Sequence, residues 1–283
     1  MGEIIDINHL KDKILNEIKN LILKNNIDKK IAFLIFSDSF DAKIFLNELK
    51  NLFDELTLKY EELNLIDEKE EKILKILNEL NNNCEINGIL PIRPIPKNID
   101  ELSIYSTIKP EKDIDCLSLI NLGKLFSFKP SFIPSVVNAS FEILKYYVLE
   151  RFNNLDFLSG KTAVIVGRSI NTGRPLYILS LMSNMIPINL HSKVNNLEKF
   201  IKLGDIVFAC CGVPEIIKDY MIKENSIIID IGINKLRDNE IVGDVDTKGV
   251  LEKVMAVTPV PNGVGEITKL MIVKNYLLTY NFI

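Results

Sequence analysis

The 283-residue chain is 47% hydrophobic and 25% charged and carries a formal net charge of −4, the composition of a soluble globular protein with room for one large or two ordinary domains. The acidic balance gives no electrostatic case for a nucleic-acid partner or an anionic membrane surface. No basic, apolar leader opens the chain, and no apolar run reaches the roughly 18 residues of a membrane span, so a cytoplasmic protein is expected.

In chain order, Leu10, Ile14, Ile18, Leu21 and Ile22 predict a helix over 10–25. The continuous apolar run 31–37 predicts a buried parallel strand. Phe40, Ile44, Leu49 and Leu52 are expected to share one face of a helix over 40–56, and 56–62 is a candidate second strand. An amphipathic helix over 70–83 opens on the acidic run DEKEEK (67–72), read as a solvated helix start. Residues 86–92 predict a third strand running into RPIPKNID. Proline cannot donate to a central ladder, so this segment is a loop at the C-terminal end of a strand, the edge where open α/β sheets bind ligands. Arg93 in that loop is expected to be solvated.

A helix over 141–152 leads to a second α/β pattern, with strands at 162–167, 186–190, 205–211, 226–231 and 255–258 and helices between them. A last helix is predicted over 268–280. The expected fold class is therefore α/β with two domains, residues 1–145 and 146–265, and a C-terminal helix (266–283) that packs back onto the first. Cys84, Cys116, Cys210 and Cys211 form no C-x-x-C pair, and His9 and His191 are the two histidines. That pattern predicts reduced, mostly buried thiols and no metal site.

The segment AVIVGRSINTGRPLYILSL (163–181) carries chemistry. Gly167 ends a strand, and Gly173 and Pro175 suit the start of the next helix. A helix N-terminus with free N–H groups favours an anion. By itself this is an ordinary βα turn. A NAD site carries a carboxylate about 20 residues further on, for the ribose 2′-hydroxyl, yet IPINLHSKVN (186–195) contains no acid. Ser192, Lys193 and Arg168 suit a 2′-phosphate instead, which favours NADP over NAD. Gly212, Pro214 and Gly232 place small residues at two further strand ends, where backbone must approach a flat cofactor.

INGILPIRPIP, PEKDIDCLSLINLGKL, VGRSINTGRP, DIVFACCGVP, IIDIGINK, GDVD and TPVPNGVGEIT follow one another along nearly the whole chain. In order and spacing they resemble the methylenetetrahydrofolate dehydrogenase/cyclohydrolase family. The resemblance implies an N-terminal α/β folate-binding domain, a C-terminal Rossmann-type domain, an active site between them and a homodimer. It implies oxidation of 5,10-methylenetetrahydrofolate with NAD(P). Gly167, Arg168, Ser169, Ser192 and Ile233 would line the cofactor. Pro261, Asn262, Gly263, Val264 and Gly265 would contact the pterin or nicotinamide side. Asp115 would contact the pterin ring, where a carboxylate can accept from adjacent N–H donors. Within KDID, Asp113 and Asp115 also both suit a turn or cap.

The chain departs from the family at several positions. The family's Tyr-x-x-x-Lys falls on Phe45 and Leu49, with Lys50 next door but turned by about 100°. The glutamine of VQLPLP falls on Ile92, PCTP becomes PSVV (134–137), and the glycine after the family's KDVD becomes Cys116. Phe45, Leu49 and Ile92 are thus expected in the substrate pocket. Hydride transfer is mainly positioning, whereas hydrolysis of the methenyl product needs a proton-handling group. The expectation is a dehydrogenase with weak or absent cyclohydrolase activity. The alternatives are a bifunctional enzyme using Lys50, a non-catalytic relative that binds NADP and perhaps folate, a dehydrogenase for another pterin carrier, and, on fold alone, a shikimate-type dehydrogenase.

Overall fold

The computed structural model describes residues 2–236 and 240–280. The chain divides into two compact units. One is built on Val136–Thr268 with the N-terminal residues through Lys13, the other on Ile14–Ser135 with the C-terminal residues from Lys269.

A short strand, β1 (Glu3–Ile4), precedes α1 (Asn8–Lys24). The unit from residue 14 onward then alternates β2 (Lys30–Ile35), α2 (Phe40–Glu55), β3 (Lys59–Asn64), α3 (Glu70–Asn82) and β4 (Ile86–Ile92). Two short helices follow, α4 (Glu101–Thr107) and α5 (Leu119–Phe126). Its sheet is parallel in the order β3-β2-β4, with Phe33 opposite Leu90. Central β2 is buried on both faces, which is why it reads as an unbroken apolar run. The buried face of α2 is Ala42, Leu46, Leu49 and Phe53. Phe40 and Ile44 are exposed, contrary to the expected face. Nine residues at 100° each put Phe40 half a turn from Leu49, and Leu49 and Phe53 set the packed side.

The second unit runs through α6 (Ser135–Phe152), β5 (Thr162–Val166), α7 (Gly173–Met182), β6 (Ile186–Leu190), α8 (Leu197–Ile201), β7 (Ile206–Ala209) and β8 (Ile227–Asp230). The hairpin β9 (Asn234–Lys235) and β10 (Ile241–Val242), then α9 (Thr247–Val250), β11 (Ala256–Val257) and α10 (Val264–Leu278) complete the chain. Six parallel strands lie in the order β1-β11-β8-β7-β5-β6. The order reverses between β5 and β7, the switch point at whose C-terminal edge such sheets bind ligands. Helices α6 and α10 begin at Ser135 and Val264, earlier than their apolar spacing suggested. Only Cys116 of the cysteines is buried, Cys84 being exposed and Cys210 and Cys211 partly so, against the expectation of mostly buried thiols. Among the described residues no helix is long and apolar enough to cross a membrane.

Helix α10 closes the unit that contains β2. The Tyr276 hydroxyl donates to Lys29 O at 2.7 Å, and its ring lies 5.8 Å from that of Phe53. Asn275 Nδ2 donates to Ile114 O and Ile133 O, both at 2.8 Å, so one amide tethers both ends of the 114–133 segment. Asn275→Ala leaves those carbonyls unpartnered and is expected to lower stability by about 2–3 kcal/mol. Urea denaturation with an unchanged m-value checks this.

Candidate functional site

At the switch point, Gly167 leaves β5 at φ +143, where a Cβ would meet Cys210 O at 2.4 Å. Its amide donates to Leu190 O at 3.0 Å, and its carbonyl accepts from Asn189 Nδ2 at 2.6 Å. Gly173 opens α7 with its absent Cβ 2.2 Å from Gly167 O. In the first turn the Gly173 amide donates to Ser169 Oγ at 3.4 Å and the Arg174 amide to Ser169 O at 3.1 Å, and Pro175 has no N–H. Arg168 and Ser169 are exposed beside this turn. Val166 and Leu190 are in register across β5 and β6, so Arg168 and the exposed Ser192 and Lys193 leave from adjacent strand ends. Exposed Arg168 and Ser169 at the glycine turn, with Ser192 and Lys193 at the end of β6, are the groups that could take phosphates.

Two buried aspartates fix the next loops. Asp244 accepts from the amides of Cys211 (2.6 Å), Gly212 (3.0 Å) and Val213 (2.9 Å) and from Asn234 Nδ2 (2.9 Å). Asp230 accepts from the amides of Gly232 (3.0 Å), Asp244 (3.1 Å) and Val245 (3.0 Å). Burial pushes the Asp230 carboxyl up to about 7, against the pull of those amides. Gly232 is required here, because a Cβ would meet the Asp244 carboxyl at 2.3 Å. Ile233, just beyond it, is 67% exposed. Sequence reading placed these loops but missed the aspartates that shape them. The signal was GDVD and IIDIG, whose acids sit within apolar strand ends.

In the same unit Pro261 and Asn262 are exposed, and Asn262 has φ +66. Gly263 is packed with its absent Cβ 2.1 Å from Pro259 O, while Val264 and Gly265 start α10. A cavity of about 500 Å³ opens beside Asn262, lined also by Asp6, Asn8, Pro259 and the Lys11–Glu266 ion pair.

The other unit carries the remaining candidates. Asp115 is half-buried, and burial raises its carboxyl to about 7 although the neighbouring Arg93 pulls it down. Asp113, two residues earlier, is buried and accepts from the amides of Leu117 (3.2 Å) and Ser118 (2.8 Å) and from Asn121 Nδ2 (2.9 Å). Asp113 is thus the cap of the turn, and Asp115 is left for other work. Leu49 and Ile92 are enclosed, at 0% and 1% exposure, and Phe45 is half-buried. Lys50 Nζ pairs with Glu62 of β3 at 2.6 Å and lies 5.9 Å from the Tyr60 ring centre. Arg93 is not solvated as expected. Its Nη2 pairs with Glu101 Oε1, and its guanidinium sits 5.7 Å from the Tyr105 ring centre. The reason is local: α4 follows the Pro-rich loop and turns Glu101 and Tyr105 toward it. Cys116 is buried at φ +59 with its thiol on Phe132 O at 3.0 Å. Burial pushes that thiol well up, which leaves it unreactive.

Residues 5–115 match the catalytic-domain model of the tetrahydrofolate dehydrogenase/cyclohydrolase family, and residues 142–282 match its NAD(P)-binding-domain model. The chain is 39% identical to the bifunctional protein FolD of Campylobacter hominis over 206 residues, 73% of this chain and 70% of that one. The chain belongs to this family. It is likewise 40% identical to the Aquifex aeolicus bifunctional protein FolD over 212 residues, 75% of this chain and 70% of that one. Two solved family structures superpose over essentially the full length. The bifunctional enzyme of Campylobacter jejuni gives a TM-score of 0.92 at 28% identity, covering 100% of both chains. The silkworm (Bombyx mori) 5,10-methylenetetrahydrofolate dehydrogenase gives 0.89 at 30%, covering 99% of this chain and 98% of that one.

The family's NAD(P)-binding domain thus coincides with the unit holding the glycine turn and the Asp230–Asp244 network. Gly173→Ala would force the turn apart without removing any polar group. It is expected to weaken NADP binding by about 10-fold or more, read by calorimetry, with secondary structure by circular dichroism unchanged.

Proposed function

We propose that this chain oxidises 5,10-methylenetetrahydrofolate to 5,10-methenyltetrahydrofolate with NADP, and that its cyclohydrolase activity is weak or absent. The observation that carries the second part is the state of the positions where the resemblance expects a lysine and a glutamine. Leu49 and Ile92 are enclosed apolar residues, and neighbouring Lys50 is held by Glu62. Glu62 also raises the pKa of Lys50 through their hydrogen bond, which keeps the amine protonated near neutral pH and leaves less of it free to act as a base. That pair argues against the bifunctional alternative through Lys50.

Hydride transfer asks less of the protein. NADP, when bound, supplies the hydride acceptor. The methylene carbon gives up a hydride and becomes the methenyl cation, so no base is needed. In this reading Gly167, Arg168, Ser169 and Ser192 hold the phosphates, and the Asp244-pinned loop with Ile233 flanks the cofactor. Asp115 accepts from the N–H edge of the pterin, and Phe45 and residues Pro261–Gly265 border the substrate. Exposed Arg168 and Lys193 beside the β6 end support the 2′-phosphate. The proposal includes a homodimer, on the strength of the resemblance, and a cytoplasmic location.

Purified protein is expected to form NADPH from methylenetetrahydrofolate and NADP. It is also expected to convert methenyltetrahydrofolate to the 10-formyl product no faster than buffer does. Hydrolysis well above the buffer rate that disappears in Asp115→Ala would sink the monofunctional reading.

A pH dependence follows from Asp115, whose carboxyl is raised to about 7. The grip on two N–H donors needs the carboxylate, which gains population as pH rises through that value. KM for methylenetetrahydrofolate is expected to fall between about pH 6 and pH 8, and Asp115→Asn should flatten the profile at a higher KM.

A further inference from the structure

We propose that Arg93 reads the ring oxygen of the substrate and sets the pterin specificity of this chain. This rests on the folate reading above and goes beyond it. The edge of a 2-amino-4-oxopterin presents two donors, the 2-amino group and N3–H, followed directly by one acceptor, the 4-oxo oxygen. A carboxylate matches the two donors. The oxygen then needs a donor beside that carboxylate, because a buried acceptor without a partner costs affinity.

Arg93 is the donor in that place. It lies close enough to Asp115 to lower the pKa of that carboxyl. Glu101 pairs with Nη2 and Tyr105 packs against the guanidinium face, so the group is oriented rather than free. Its Nε and Nη2 are enclosed beside the Tyr105 hydroxyl, while the side chain as a whole keeps 33% of its surface exposed. The remaining nitrogen, Nη1, is not among the enclosed atoms and is the donor left for a ligand oxygen. The sequence context is unusual too: Arg93 stands where the family motif VQLPLP has leucine, directly after Ile92 in the glutamine position. One polar handle is lost at 92 and another is gained at 93. Arginine is suited to this task, since its fork of donors can serve Glu101 and a ligand oxygen together.

The test compares two ligands on three proteins: tetrahydrofolate and its 2,4-diamino analogue, which carries a donor where the oxygen was. Wild type is expected to prefer tetrahydrofolate. Arg93→Ala should weaken tetrahydrofolate binding by about 10- to 100-fold and change the diamino analogue by less than about 3-fold, which removes the preference. Arg93→Gln, which keeps one donor, should restore part of it and also guards against misfolding of the alanine variant. NADP affinity, which reads the other compact unit, should be unchanged in both variants. Equal loss for both ligands, or no loss for either, overturns the role of Arg93. A wild-type protein that binds NADP but not tetrahydrofolate overturns the folate reading itself, and the specificity role with it.

Discussion

The ligand-facing edges of both sheets depend on one constraint: backbone amides that turn inward at strand ends must find acceptors, and buried aspartates provide them. Asp244 takes three consecutive amides of the loop after β7, and Asp230 takes three more around the loop after β8. Asp113 does the same for the turn before α5. A buried carboxylate is expensive alone, but several amide donors can hold it. The amides in turn hold fixed paths that short loops could not keep by themselves. At Gly167, Gly173 and Gly232 these paths pass so close to neighbouring atoms that a Cβ would not fit.

Much of this was legible in the sequence. Strands β2, β4 and β5 announced themselves as apolar runs, because nearly all of each is covered. The glycine turn was legible from its spacing, and a nicotinamide-cofactor domain from that turn within the second strand–helix pattern. What was not legible shares one physical cause. An aspartate in a turn looks the same whether water or buried amides surround it, so Asp113 and Asp115 could not be told apart. Arg93 looked solvated for the same reason, since Glu101 and Tyr105 reach it only once α4 has formed. The packed side of α2 was misjudged because an apolar residue in a helix's first turn, Phe40, carries little information about the face that packs.

The positions expected to carry polar groups, Leu49 and Ile92, have become part of the apolar interior. Charge remains nearby but is committed differently: Lys50 to Glu62, Arg93 to Glu101. Loss of a proton-handling group need not cost hydride transfer, because the two steps of the family's chemistry ask for different things.

The division of the chain has a consequence for its synthesis. Strand β1, among the first residues made, pairs only with β11, some 250 residues later, at Glu3↔Ala256 and Ile4↔Val257. Helix α10, which follows every strand of the six-stranded sheet, supplies Asn275 and Tyr276 to the unit of β2–β4. Each unit therefore waits for sequence that emerges after the bulk of the other. At about 5–20 residues per second on the ribosome, β2–β4 stay without their closing helix while the chain between Ile92 and Val264 is made. Such long-range closure slows folding, and during that interval the nascent protein is the form in which a chaperone would meet it.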